Sequence, residues 1–471
     1  MSTVRVDFLG RSKELLQDQA LQSALRRGMS RFRSLRREVV GEVPEWEALR
    51  TRAREIKIHT LKHLPYYLRL LEERVQAAGG VVHWAQDGSE AREIILDIAR
   101  RGGVQVAIKS KSMTTEEIEL NAFLEAEGIR VTESDLGEFI LQLSGDHPSH
   151  FVVPVVHKSK EEIGALFREK LGAPELREPE QLTRFARQVL RERFLAAEMG
   201  ISGANFAVAQ TGTVVIVENE GNARLVTTLP RIHVAVMGIE KVVPTLEDLA
   251  VMFRILPRSA TGQRITSYIS LITGPKRLGE RDGPEEFHLV LLDNGRTRIL
   301  ADPEIWEALC CIRCGACLNI CPVFERTGGH AYGWVYSGPI GAVITPLYRG
   351  LEAAGELPFA SSLCGACAEV CPVKIDLVRL LLVMRRRAVD AGQGVGSLER
   401  LGFALWGVVS RSPFGYRVLG RLGRFALHSM ARPERSPRLP FPFSQWLESR
   451  DLPPLPKRAF RERWRRLGQG E

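Results

Sequence analysis

The chain has 471 residues, 44% of them hydrophobic and 26% charged, which is too long for one compact core and too apolar for a disordered chain. Its eight cysteines all lie between 310 and 371, which excludes a secreted disulfide framework spread over the fold and points to a reduced compartment and to metal. The net charge of +9 is uneven: residues 400–471 hold 15 Lys/Arg against 5 Asp/Glu, leaving the rest at 50 basic against 51 acidic.

The opening stretch MSTVRVDFLGRSKELL lacks an apolar run followed by a small-residue cleavage site, so no leader is read. With no run of ~18 apolar residues anywhere, no spanning helix is expected, and the cytoplasm is the expected location. Residues 1–65 read as a helical segment, with SKELLQDQALQSALRR as an example, and helical periodicity continues to the Gly79–Gly80 pair. Strand and helix patterns then alternate over 66–300. VVHW (81–84) precedes a helix at 89–101, VQVAI (104–108) a helix from about Thr115, and FVVPVV (151–156) a helix from about Ser159. TVVIV (213–217), HVAVMGI (233–239) and FHLVLLD (287–293) read as further strands, the last entering an Asp-Asn-Gly turn that signals a hairpin. Such alternation predicts a three-layer α/β domain. Residues 301–380 hold the cysteines. Residues 381–471 form a basic C-terminal region, helical at first and dense in Pro from Ala431, where an extended docking arm is expected. A basic tail suits nucleic acid, an anionic membrane surface or an acidic protein partner.

Cys311-x2-Cys314-x2-Cys317-x3-Cys321-Pro322 is a complete bacterial-ferredoxin run. A short Gly-containing loop curls three thiolates around one face of a cubane and sends the fourth to a second cluster. The competing four-cysteine zinc site more usually uses two separated CxxC knuckles. Cys364-x2-Cys367-x3-Cys371-Pro372 is a second run, with Ser361 where its first cysteine would stand. Crossed ligation assigns Cys311, Cys314, Cys317 and Cys371 to cluster 1, and Cys321, Cys364 and Cys367 to cluster 2. The fourth position of cluster 2 is left to Ser361, Ser362 or water, to a cysteine from outside, or to a three-iron cluster. The cofactors expected are therefore two iron–sulfur clusters, [4Fe-4S] in type, with [3Fe-4S] as the alternative for the second. Cys310 is expected to be a buried small hydrophobe. The Gly- and aromatic-rich insertion GGHAYGWVYSGPIGAVITPLYRG is expected to cover the clusters or to pack plainly.

Signals in the α/β domain are softer. KSKSMTTEEIEL opens a helix, with Thr114 and Glu117 at capping-box spacing and Lys109, Ser110 and Lys111 beside a start that could hold an anion. Glu133, Asp135 and Glu138 are expected close together. Asn205, Glu218, Asn219, Asn222 and Arg224 are candidates for a polar cleft, with turn chemistry as the plainer alternative. His157 and His233 are expected to be structural. GxGxxG after a strand, GxxxxGK[ST] and HExxH are all absent, so no motif indicates a nucleotide or flavin.

The segments SKSMTTEEI, ESDLGEFILQL, GISGANFAVAQTGTVV, NEGNARL, CIRCGACLNICPVF, YGWVYSGPIGAV and SSLCGACAEVCPVKIDL together resemble the lactate utilization protein B family over roughly residues 50–460. The resemblance implies an α/β lactate-utilization domain, similar to the sugar-isomerase and CoA-transferase-like fold. It also implies an α-helical ferredoxin-type two-cluster module and a helical and extended C-terminal region. The family's seven cluster cysteines fall on Cys311, Cys314, Cys317, Cys321, Cys364, Cys367 and Cys371. The implied role is electron transfer in oxidation of L-lactate to pyruvate, alongside two other lactate-utilization subunits, with L-lactate bound within the complex, no nucleic acid, and peripheral membrane contact left open. The competing readings are a stand-alone α/β enzyme on a phosphorylated or CoA-linked substrate with structural clusters, and a cluster-bearing regulator whose tail binds nucleic acid.

Overall fold

A computed structural model describes residues 5–393, 396–430, 444 and 458–467. Most of the Pro-rich stretch from Ala431, with its expected docking arm, lies outside the described residues. The chain divides into two units, Met1–Gly394 and Val395–Glu471.

The first unit is built on ten strands: β1 (Val81–Ala85), β2 (Val106–Lys109), β3 (Arg130–Glu133), β4 (Met199–Gly203), β5 (Phe206–Val208), β6 (Thr213–Glu218), β7 (Ile232–Gly238), β8 (Val242–Val243), β9 (Tyr268–Ile272) and β10 (Glu286–Leu292). Six form a sheet in the order β1-β10-β7-β4-β2-β3, every pairing parallel. The other four form a small sheet, β8-β5-β6-β9. All seven residues of β7 are buried, which a parallel strand covered on both faces requires and which explains its unbroken apolar run. On one face, Ala91, Ile95 and Leu124 from the helices Gly88–Arg101 and Leu120–Ala126 meet Met199, Val234 and Val290. On the other, Leu68, Leu71 and Val75 from Leu64–Ala77 meet Ala235, Met237 and Leu289. At Gly200 in β4, a Cβ would sit 1.9 Å from the Val226 carbonyl oxygen, so only glycine allows that approach.

Three expectations are corrected. FVVPVV is not a strand; residues 151–156 run through turns, and Phe151 is buried against Tyr336 with ring centroids 6.1 Å apart. Its apolar character serves that packing, not a sheet. The Asp293-Asn294-Gly295 turn makes no hairpin. Asn294 and Gly295 take φ of +44° and +89° and deliver the chain into the helix Arg296–Leu300, because both neighbours of β10 are parallel. The helix Met113–Glu117 is capped by Ser112, whose Oγ accepts from the Thr115 amide, so Thr114 and Glu117 form no capping box.

The N-terminal helices are part of the cysteine region's packing. From Gln19–Gly41, Arg33 pairs with Glu325 at 2.9 Å and Arg36 donates to the Val370 carbonyl at 3.0 Å. From Trp46–Lys62, Arg50 donates twice to the Cys371 carbonyl, at 3.0 and 2.8 Å.

The second unit contains the helices Ser397–Arg411, Pro413–Met430 and Phe460–Leu467. No residue of the first of these is buried, and Leu401, Phe403, Trp406, Phe414, Leu422 and Phe425 are exposed beside Arg400, Arg411, Arg417, Arg421 and Arg424. Among the described residues, no helix is long and apolar enough to cross a membrane.

Candidate iron–sulfur centre

Two short loops carry the cysteines with the same backbone alternation. Arg313 and Gly315 have φ of +58° and +76°; Leu363 and Gly365 have +55° and +87°. A left-handed Arg or Leu is disfavoured, so its appearance in both loops marks a conformation imposed by a shared task. Each loop turns through this pair, presents its CxxC, and enters a short helix, Ala316–Ile320 or Ala366–Glu369.

Cys311, Cys314, Cys317 and Cys371 line one cavity, with Phe151, Ile312, Ile340, Val373, Ile375 and Leu377 among its apolar walls. The Arg313 amide donates to Cys311 Sγ and the Ile375 amide to Cys371 Sγ, each at 3.4 Å. Burial pushes the Cys371 thiol up to about 11 and drives Cys314 and Cys317 above their ordinary range. Four thiols in an apolar cavity are poor hosts for free thiolates but fit a metal cluster, which holds sulfur deprotonated and accepts amide hydrogen bonds on it.

Cys321, Cys364 and Cys367 form a second group, with Cys321 and Cys364 both within electrostatic reach of Cys367. Cys317 in turn feels Cys367, so the two groups adjoin. Cys364 is exposed; the Ala366 amide and the Ser362 hydroxyl draw its thiol down. Set against the first loop, Ser361 takes the place of Cys311, and the Leu363 amide donates to Ser361 Oγ at 3.1 Å as the Arg313 amide does to Cys311 Sγ. Missed from sequence was Tyr332, fully buried with no hydrogen-bond partner for its hydroxyl among the described residues, within electrostatic reach of Cys321, Cys317 and Cys367. Cys310 is fully buried and lies outside the cavity lining, beside Lys57 and Arg54. Cys310→Ser is therefore expected to leave iron content unchanged in the anaerobically purified protein; loss of iron would make Cys310 a ligand.

The insertion between the runs does cover this region. Its helix Gly338–Arg349 is buried over most of its length and contributes Ile340 to the cavity, while Tyr336 packs against Trp334 and Tyr348 at 5.2 and 6.0 Å.

In the α/β domain the polar candidates collect at the C-terminal ends of β2 and β3. Lys109 is fully buried, 2.8 Å from Glu133 and 3.0 Å from Glu116; burial opposes its charge, but the two carboxylates outweigh burial and hold the ammonium above its usual value. Lys111 lies 3.8 Å from Glu138, which burial pushes up to about 8 against the pull of that lysine. Asp135 caps the helix Leu136–Ser144, and Ser110 is buried at the end of β2. Glu220, not singled out in the sequence, joins them, accepting from the Leu136 amide and pushed by burial to about 7. Asn222 reaches Ser134 Oγ at 3.1 Å. Among the other cleft candidates, Glu218 does turn chemistry, accepting from the amides of Ala223 and Arg224, whereas the rest make contacts to distant residues: Asn205 accepts from the Val217 amide, Asn219 bonds Gln263, and Arg224 stacks over Tyr268. His233 is fully buried, with Nε2 bonded to Ser202 Oγ at 2.8 Å and Nδ1 without a partner among the described residues. His157 bonds Ser149 and Asp146, and packs against His330 from the insertion with ring centroids 4.5 Å apart.

Two family models match the chain: the LUD domain over 68–292 and the 4Fe-4S dicluster domain over 307–375. The chain is 45% identical to lactate utilization protein B of Shouchella clausii, covering 98% of this chain and 97% of that one. It is 44% identical to the Bacillus subtilis protein of that name over 97% and 95%, and 45% identical to that of Geobacillus kaustophilus over 97% and 96%. With a dicluster domain on its cysteines and identity of this order along nearly its whole length, the chain belongs to the lactate utilization protein B family.

Proposed function

We propose that this chain is the iron–sulfur electron carrier of an assembly that oxidises L-lactate to pyruvate, working with two further lactate-utilization subunits. The supporting observation is the four-cysteine cavity with the three-cysteine group adjoining it, inside a chain of this family. Cys311, Cys314, Cys317 and Cys371 would hold cluster 1, and Cys321, Cys364 and Cys367 cluster 2. Bound there, such clusters supply one-electron transfer over a short gap. The protein buries three of the first cluster's four thiols and leaves the second open at Cys364, an entry or exit for electrons. The exposed apolar and basic helices of the second unit offer a docking surface for the partner subunits.

The anaerobically purified chain should carry about seven to eight iron atoms and as much sulfide, and its visible absorption should bleach with L-lactate only when the partner subunits are present. Stoichiometric zinc without a chromophore would refute the cluster reading. Bleaching by lactate with the chain alone would refute the carrier role.

Cluster 2 has three thiols and Ser361, and a hydroxyl is a harder, less acidic ligand that holds iron less well than thiolate. Brief oxidation should convert it to a three-iron form, seen by EPR at no more than one spin per chain, while cluster 1 survives. Ser361→Cys should suppress that signal. An undiminished signal in the variant would place the fourth ligand elsewhere.

A further inference from the structure

The interior behind the Cys311 loop holds an excess of positive charge. Lys57, Lys241 and Arg296 are 1%, 8% and 1% exposed, and the Arg313 side chain 7%. Facing them are two buried carboxylates, Glu117 and Glu240. Arg296 takes Glu117 in a two-pronged pair at 2.9 Å and Glu240 at 2.6 Å, and Arg313 lies 3.7 Å from Glu240. Lys57 donates to the Glu240 carbonyl oxygen. Burial holds the Lys57 ammonium below its usual value, so the cations set against the two carboxylates are Lys241, Arg296 and Arg313, an excess of one charge that is costly to bury without a counter-ion. Among the described residues, neither terminal nitrogen of Arg313 has a hydrogen-bond partner, although the guanidinium stacks on Tyr336 at 4.7 Å. Arg313, Lys57 and Lys241 all lie within electrostatic reach of the Cys311 sulfur.

We infer that this buried cationic group is the counter-charge of cluster 1 and raises its reduction potential, with Arg313 and Lys241 as positioning residues for the electron. A four-iron cubane on four thiolates carries a net charge of about −2 when oxidised, and net charge is one determinant of its potential. Taking one electron from a donor protein makes it more negative by one. Fixed positive charge in a water-poor interior stabilises the reduced form more than the oxidised one. The inference rests on the assignment of Cys311, Cys314, Cys317 and Cys371 to cluster 1. The cluster ligand that this group adjoins is Cys311, so its effect is expected to be greatest on cluster 1.

The test is an EPR-monitored redox titration of the anaerobic full-length protein, comparing wild type with Arg313→Gln, Arg313→Lys and Lys241→Met. Signals are assigned with Cys364→Ser, which perturbs cluster 2 alone. Arg313→Gln and Lys241→Met should each shift the reduction equilibrium of cluster 1 toward the oxidised form by tenfold or more, about 59 mV for a one-electron couple. Arg313→Lys, which keeps the charge, should retain most of the wild-type potential, and cluster 2 should move less than cluster 1. Two neutralising variants are used so that failure of one to retain its cluster leaves the other to decide. Two intact clusters with unmoved midpoints, or equal shifts in both, would overturn the charge effect while leaving the ligand assignment standing. A wild-type chain with a single cluster would overturn the assignment and this inference together.

Discussion

Cys317→Ser should cost the protein cluster 1 and much of the stability of its ferredoxin-type region. Cys317 lies on the helix Ala316–Ile320, lines the cavity, and feels both cysteine groups. Serine is nearly isosteric, so loss of the sulfur–iron bond is isolated from a packing change. Binding of such a group is coupled to folding, and the energies are on the order of ten kcal/mol for structural metal sites, comparable to the whole stability of a typical domain. The region also anchors the N-terminal helices through Arg50 on the Cys371 carbonyl and Arg33 on Glu325, so their order should fall with it. Iron analysis and limited proteolysis between residues 1 and 65 would report this. A variant that keeps full iron and full protease resistance would remove Cys317 from the ligand set.

The second large effect is expected at Arg296. Its guanidinium is almost wholly buried, bonded to Glu117 and Glu240 and stacked over Tyr348 at 5.0 Å. Glu117 accepts in addition from Asn294 at 2.7 Å and from the Tyr336 hydroxyl at 2.6 Å. Arg296→Met fills the volume but leaves the buried Glu117 carboxylate without its cationic partner, a loss of about 3–5 kcal/mol. The double variant Arg296→Met/Glu117→Gln should recover part of that loss, because the stranded charge is gone. Chemical denaturation of all three proteins checks it. A loss below about 1 kcal/mol in the single variant would show that water reaches this carboxylate.

The same residues show where sequence reasoning stopped. At capping-box spacing Glu117 reads as a local cap, yet Ser112 takes that role. Glu117 instead meets Arg296 and Tyr336, 179 and 219 positions away. FVVPVV has a strand's composition and becomes a wall packed on Tyr336, since an apolar run of six says that it will be buried but not against what. The 1–65 helices were legible as helices, because 3.6-residue periodicity is local; their partners, Glu325 and Cys371, were not.

What the sequence by itself determined is what depends on short separations. Cysteine spacing within each run sets which thiols can share one loop. The alternation of apolar runs with amphipathic helices sets an α/β layer structure, and the Ser361 substitution stands out against the repeated CxxC frame. Tertiary structure alone decided the rest: parallel strand order, the Tyr332 hydroxyl beside both cysteine groups, and the buried ion network joining Glu117, Glu240, Arg296 and Arg313. The ion pairs of that network join residues more than fifty positions apart. Buried charge pairing depends on which groups are excluded from water together, and no local pattern encodes that.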